Sequence, residues 1–594
     1  MRGFIETARA RQVDRWSAAY AVAAWLVVQA ASIALPAFHA PDWAMRVLIV
    51  VAVVGLPVTA TATWFAGRTV VVGGGISMGV RDWALLGALG IVLVLAGWQI
   101  ASGWNDRGSS PSDTEMPSAA NGSIAVLPFA NAGGDPGKKY FSEGISDELI
   151  GLLARNPALR VAARTSSYFF EGKNEDIRSI AHKLNVRSVL EGSVREDGRR
   201  VRIEVSLVDA ADGYQLWSQS YDRELSDILN VQSDIAQAIA QALAPHLLGG
   251  AVAPAARRPG PIDPTAYRMY LEGAFLFATR SDEAVAKALD LFRQVTRLAP
   301  DFADGQAMLA YDLFITSARH PEHDVSAEFH AALQRALQLD PTNPQALAVA
   351  IFDANKRWDW DTIITDGVAL QRSNWHSAIG LHGLAAAYNA FSFEDQALVI
   401  EREGAQLDPL SWNASASIVD GLLGLGRFDE SVAAAVALLK VYPGDARALG
   451  LLCVAYTFGG HVEQAKGVLR DLSLPGMPDD ERSDCAYVIA LHDGHLAAAR
   501  ARIEDIAAHY RERHVAESDV GMAFGHVYEF DRAMDWLERG FDLRQSFFDL
   551  DKAPTMPKGL FATSRWIALT QRPEFVAWRA ARARAAQAFF GTRT

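Results

Sequence analysis

Cysteine is nearly absent from this 594-residue chain, in which only Cys453 and Cys485 occur. Two cysteines cannot build a disulfide framework or an all-cysteine metal site. Two interpretations stay open: a single disulfide, or two small buried apolar side chains. We favour the second, because free cysteine is among the most buried residue types.

Runs of basic residues are also missing. The chain has 56 Lys and Arg against 69 Asp and Glu, a net charge of −13, and residues 1–101 contain seven Arg, no Lys and only four acidic residues. The acidic excess therefore lies in the later, soluble part of the chain. An acidic surface repels phosphate backbones, so we predict no nucleic-acid partner.

Motifs for catalysis and cofactor binding are absent as well. Gly133 and Gly134 follow a predicted strand, but no Lys-Ser/Thr pair completes a phosphate loop. His492 and His495 lack a third nearby ligand, and no nucleophile elbow occurs. We therefore predict no catalytic, cofactor-binding or metal-binding residues, no cofactor, no evident small-molecule substrate, and a protein that is not an enzyme.

Three stretches contain no charged side chain, at 18–38, 47–66 and 83–101. Each has about the 20 residues that a helix needs to span a bilayer. Six of the seven arginines lie before the first stretch or between the second and third. By the positive-inside rule this predicts a three-helix transmembrane anchor (1–101) in a bacterial inner membrane, with a cytoplasmic N-terminus and a periplasmic chain after residue 101.

A Ser-, Gly- and Pro-rich linker (102–122) is followed by the pattern of an α/β domain (123–247). The run IAVLPF after Ser123 reads as a buried strand, and Val201, Ile203, Val205 and Leu207 alternate with polar residues as on an antiparallel strand. The order βαβαβββα predicts helices packed on a mixed sheet. A second linker follows at 248–262.

Several segments of this domain carry a family resemblance. IAVLPFANAGGDPGKKYFSEGISDELI, LRVAARTSSYFFEGKN and VLEGSVREDGRRVRIEVSLVDAADGYQLWSQSYDREL occur in order between residues 121 and 247. Together they resemble the TolB-type amino-terminal-like domain, also described as FlgO-like. The resemblance implies a position between an N-terminal membrane or signalling module and C-terminal tetratricopeptide repeats.

A period of 34 residues runs through the C-terminal part of the chain. It is marked by small residues after predicted turns, namely Ala397, Ser431, Ala465, Ala499 and Ala533. The pattern resembles the tetratricopeptide repeat and predicts an all-α solenoid of about eight helix pairs over 263–547, with a helical cap at 548–594. Gly367 and Glu401 depart from it, since they stand where large core side chains are expected.

Stacked helix pairs form a superhelix with a concave groove that binds other proteins. If the family geometry holds, the groove includes the side chains of Asn389, Asn413, Asp420, Arg447 and Thr457. We therefore predict a membrane-integral, extracytoplasmic scaffold or sensor whose partner is a protein or peptide. The alternatives are a structural assembly factor of an envelope complex and a signalling enzyme of the cyclase type.

Overall fold

The computed structural model describes residues 122–591, apart from 157, 174, 225–226, 244–261, 280, 321–322, 374–376 and 513–514, together with Trp25 and Gln29. The residues from 122 onward belong to one compact unit. This unit consists of a sheet domain followed by a longer array of helices. The predicted linkers at 102–122 and 248–262 lie almost wholly outside the described residues and stay predictions.

The predicted membrane anchor must be corrected. Within the described residues, no helix is long and apolar enough to cross a membrane. A span requires about 20 apolar residues in one continuous helix, which a lack of charge alone does not guarantee. The stretches 18–38, 47–66 and 83–101 lie outside the described residues except for Trp25 and Gln29. The structure therefore does not support a three-helix anchor, an inner-membrane location or a periplasmic C-terminal part.

The sheet of the first domain is mixed. Its strands are β1 (Ser123–Val126), β2 (Ala130–Asn131), β3 (Arg160–Val161), β4 (Ser188–Asp197), β5 (Arg200–Asp209) and β6 (Gln215–Glu224). The strand order is β3-β1-β4-β5-β6, with β1 parallel to both β3 and β4, the short β2 parallel to β4, and the remaining pairs antiparallel.

Helices cover both faces of the parallel strands. Ile124 and Val126 of β1 share a core with one set of helices, whereas Ala125, which points the other way, shares a core with Ile180 and Leu184. The first face is covered by α1 (Lys139–Ala154) and α4 (Ile228–Leu243). The short α2 (Arg164–Tyr168) leads to α3 (Ile177–Leu184), which covers the second face. The domain is thus doubly wound around β1.

The described residues from 264 to 542 form antiparallel helix pairs that stack as a tetratricopeptide-like solenoid. The pairs are α5 (Pro264–Ala278) with α6 (Asp282–Leu298), α7 (Ala303–Arg319) with α8 (Ser326–Leu339), α9 (Pro344–Arg357) with α10 (Trp360–Ser373), α11 (Ala378–Asn389) with α12 (Glu394–Leu407), α13 (Trp412–Gly424) with α14 (Phe428–Val441), α15 (Ala446–Phe458) with α16 (Val462–Leu472), α17 (Asp479–His492) with α18 (Leu496–His509), and α19 (Glu517–His526) with α20 (Phe530–Asp542).

The small residues of the 34-residue period lie where the two helices of a pair meet. Ala397, Ser431, Ala465, Ala499 and Ala533 are all at most 1% exposed. A larger side chain there would separate the helices of its pair, which explains the period in packing terms.

A second feature with the same period escaped the sequence analysis. Asn343, Ser377, Ser411 and Asp445 are spaced 34 apart, and each side chain accepts a hydrogen bond from the backbone N–H three residues later. These residues cap the first helices of four successive pairs, because the first N–H groups of a helix have no partner within it. The caps fix where α9, α11, α13 and α15 begin.

The C-terminal segment folds back onto the middle of the array. It contains α21 (Lys558–Phe561), α22 (Ser564–Leu569) and α23 (Pro573–Phe590), and α23 packs along α10. Trp578 Nε1 donates to the carbonyl of Ala390 at 2.9 Å, and Arg582 Nε donates to that of Phe391 at 2.8 Å. The array is therefore closed on itself rather than extended as an open superhelix.

The sheet domain packs closely against the first helix pair. Gly144 of α1 faces Leu271 of α5, where an added Cβ would lie only 2.8 Å from Leu271 Cβ. The buried Gln232 side chain of α4 donates to the Tyr267 hydroxyl of α5 at 2.7 Å. A larger residue at position 144 would force α1 and α5 apart.

The two cysteines form a disulfide that joins α15 to α17. The favoured interpretation of two unlinked thiols is therefore wrong. The first helices of neighbouring pairs pack side by side, which brings the two Cα atoms to 5.7 Å, within the usual range of about 4.4–6.8 Å for a bridge. Both side chains are buried.

We expect that neither Cys453 nor Cys485 of the denatured chain, purified without reductant, reacts with an alkylating reagent until reductant is added. Reduction should lower the free energy of unfolding by about 2–4 kcal/mol, because the unfolded chain gains conformational freedom. Mass spectrometry and denaturant unfolding measure the two effects. The double variant Cys453→Ser, Cys485→Ser should not respond to reductant, and alkylation of both cysteines before reduction would contradict the bridge.

Candidate functional site

A cleft opens in the array between α11, α12 and α13. It encloses about 270 Å³. Its walls combine apolar side chains such as Leu381 and Ile400 with polar groups that include Glu401, Asp408 and Asn413. The capped starts of α11 and α13 hold two of these walls in place. The cleft therefore offers both apolar surface and charge to a bound group.

Three carboxyl groups lie on or beside this cleft, and the protein around each raises its pKa, although Asp420 itself stays exposed and Glu401 is only partly buried. Loss of water is the largest cause for Glu401, Asp408 and Asp420. The nearby Asp420 charge adds to the rise of the Glu401 pKa, and the Arg447 guanidinium partly offsets the rise for Asp420. The free protein thus holds carboxyl groups that an additional positive charge would stabilise in their ionised form.

Four of the five predicted groove residues lie around this cleft. Asn389 Nδ2 donates to Glu401 Oε1 at 3.4 Å, Asn413 lines the cleft, and Asp420 follows along α13. The Arg447 guanidinium lies 4.2 Å from the centre of the Trp412 ring in a cation–π contact. The structure therefore brings Asn389, Asn413, Asp420 and Arg447 to one region of the array.

Thr457 is different. Its side chain is 2% exposed, and its hydroxyl donates to the carbonyl of Cys453 at 2.8 Å, one turn earlier in α15. A buried hydroxyl that is bonded to its own helix does not present itself to a partner. We therefore leave Thr457 out of the candidate contact surface.

Asp408, which lines the cleft, is hydrogen-bonded to the sheet domain, and the sequence did not predict this contact. The buried Asp408 Oδ1 accepts hydrogen bonds from Ser166 Oγ at 2.6 Å and from the Ser166 backbone N–H at 3.0 Å. Ser166 Oγ in turn accepts from the Leu410 N–H at 2.8 Å. Residues 242 positions apart in the chain thus share one buried polar contact, and no local pattern announces it.

Backbone and apolar contacts extend this junction. The Ala163 N–H donates to the Leu407 carbonyl at 2.7 Å. Leu410 is buried in the same core as Phe170 and Ile180 of the sheet domain. We call this set of contacts, from Ala163–Ser166 to Leu407–Leu410, the domain junction.

Comparisons with known proteins give two matches in sequence. Residues 119–238 match the family model described as the HilA/YgeH-like transcriptional regulator, second domain. A protein of Rhizobium meliloti (strain 1021) named "Putative adenylate cyclase 3" is 35% identical over 238 residues, which are 39% of this chain and 40% of that protein. The chain thus spans about two fifths of the length of this curated relative.

Solved structures with similar helical arrays include a human IFIT1 dimer with PPP-AAAA and the APC/C hetero-tetramer Cut9-Hcn1. The first is 12% identical with a TM-score of 0.31, over 53% of this chain and 79% of that one. The second is 14% identical with a TM-score of 0.28, over 62% of this chain and 84% of that one. With TM-scores this low, we draw no functional conclusion from these structures.

The domain junction makes a prediction about stability. Ser166→Ala removes a donor from the buried Asp408 carboxylate and the acceptor of the Leu410 N–H, so it should lower the free energy of unfolding by about 1–3 kcal/mol. Denaturant unfolding of the full chain measures this. Ser473→Ala is the control, since Ser473 is exposed and its hydroxyl bonds only within its own helix turn. Equal stability of the two variants would show that the junction contributes nothing.

Proposed function

We propose that this protein is a protein-binding scaffold or sensor, and that the cleft between α11, α12 and α13 receives an extended segment of the partner that carries a basic side chain. The observation that supports this most is the gathering of Glu401, Asp408 and Asp420 at one cleft, with a raised pKa for each. A lysine or arginine side chain would supply the positive charge that these carboxyl groups lack.

The groups around the cleft suggest how such a segment would be held. Asp408 is already bonded to Ser166, so Glu401 and Asp420 are the carboxyl groups that remain for a partner. The exposed Asn389 and Asn413 amides can bond the backbone of an extended chain, and Leu381 and Ile400 can pack against an apolar side chain. Arg447, held over the Trp412 ring, would disfavour a second basic side chain of the segment nearby, because like charges repel.

For the sheet domain, we propose that it is a TolB-type amino-terminal-like module which supports the array. Its doubly wound sheet and its contacts with both α5 and the α12–α13 turn support this role. The activity in the name of the curated relative is not part of the proposal, because the chain spans only about two fifths of that protein.

The proposal is tested by selecting peptides from a random library on the full chain near neutral pH. We expect the selected peptides to carry Lys or Arg. Glu401→Gln and Asp420→Asn should each weaken binding by about 1 kcal/mol, roughly a fivefold rise in Kd. Asp395→Asn is the control, since Asp395 is an exposed carboxylate on the same helix α12 that does not line the cleft.

The pH dependence of Kd gives a second reading of the same experiment. A bound cation favours the ionised carboxylates, so binding releases protons wherever the free groups are still protonated. Affinity should therefore rise with pH above the ordinary values of 4.5 for Glu401 and 3.8 for Asp420 and level off once both are ionised. Selection of acidic peptides, or binding that neither variant changes, would contradict the proposal.

A further inference from the structure

The sheet domain has a topological switch point. From β1 the chain passes through α1 to β3 on one side, and from β3 through α2 and α3 to β4 on the other side of β1. Because α1 and α3 cover opposite faces, the connections that leave the carboxyl ends of β1 and β3 diverge beyond the carboxyl end of β1. Open α/β sheets bind ligands in the crevice outside this point.

A cavity of about 480 Å³ lies there. This volume falls within the range of about 300–1,000 Å³ that small-molecule pockets occupy. Leu127 and Pro128, which directly follow β1, form one wall, and Phe170, Ile177 and Ile180 from the α2–α3 region form another. These two walls are apolar, and we call this cavity the switch-point pocket.

The polar groups of the pocket have more acceptors than donors. Glu143 is 3% exposed, and two cations lie near it: Lys139 Nζ is 3.0 Å from its Oε1, and Arg164 Nη2 is 3.8 Å from its Oε2. Lys139 also contacts Glu171 at 2.5 Å, so one ammonium serves two carboxylates. Among the described residues, the Glu191 side chain on β4 has no hydrogen bond or ion pair.

Burial raises the pKa of Glu143 to about 7; Lys139 partly offsets this rise, and the nearby Glu171 adds to it. Glu143, Glu171 and Glu191 outweigh Lys139 and Lys173 among the charged groups that line the pocket, and Glu175, also in the lining, is bonded to Lys183. These carboxylates would repel an anion at the start of α1.

We propose that the switch-point pocket binds a small primary amine with an apolar stem. An ammonium group brings three donors and a positive charge to the Glu143 and Glu191 carboxylates. The stem packs against Leu127, Phe170 and Ile180. No sequence motif marks this pocket, because its groups come from the β1–α1 loop, from α1, from the α2–α3 region and from β4. The inference does not depend on the cleft in the array.

Three probes that differ only in their head group test this with the full chain: phenethylamine, 2-phenylethanol and 3-phenylpropanoate. Isothermal titration should show saturable binding of the amine alone. Glu191→Gln should raise its Kd about tenfold, because a charge-assisted hydrogen bond is lost. Glu204→Gln should leave the Kd unchanged, since Glu204 lies on the neighbouring strand β5 and does not line the pocket.

Each result of the titrations either supports or overturns the proposal. The proposal is supported when the amine binds, Glu191→Gln weakens this binding and Glu204→Gln leaves it unchanged. Equal binding of the alcohol would show a merely apolar pocket, and preferential binding of the carboxylate would show an anion site; either result overturns it. Absence of amine binding, or amine binding that Glu191→Gln leaves unchanged, also overturns it. An unchanged melting temperature of the unliganded Glu191→Gln chain confirms that the variant is folded.

Discussion

The buried contact between Asp408 and Ser166 is the interaction on which the arrangement of the two folded parts depends. A carboxylate removed from water is costly unless donors replace the water, and the sheet domain supplies two of them from Ser166. The α12–α13 turn can therefore be buried only while the sheet domain is docked. This requirement ties the α12–α13 turn, which carries Asp408 in the wall of the cleft, to the sheet domain.

The C-terminal segment restrains the same region from another direction. Trp578 and Arg582 of α23 bond the carbonyls of Ala390 and Phe391, in the turn between α11 and α12. Both ends of α12 are thus held by distant parts of the chain. A wall fixed in this way loses little conformational freedom when a partner binds, which favours affinity at a small contact area. The helical array around the cleft is therefore held in place by contacts with both the sheet domain and the C-terminal segment.

Local periodicity predicted the helical part of this fold but not its closure. The 34-residue step located Ala397 to Ala533 at the contacts within pairs, and the caps from Asn343 to Asp445 could have been found in the same way. Gly367 and Glu401 depart from the repeat pattern, and tertiary structure explains both. Phe589 of α23 occupies the space beside Gly367, and Glu401 lines the cleft. The prediction of a membrane anchor was wrong for a different reason. It rested on the absence of charge in three stretches, with no tertiary contact to test it.

Hydrogen exchange at the domain junction tests the central claim most directly. The amides of Ala163, Ser166 and Leu410 donate across the junction. If docking of the sheet domain holds the cleft together, these three amides should be strongly protected and should exchange together, as amides of one cooperative unit do. Exchange of all three as fast as that of an exposed turn, while the amides of β4 and β5 stay protected, would show that the two parts are not held together and would contradict the account.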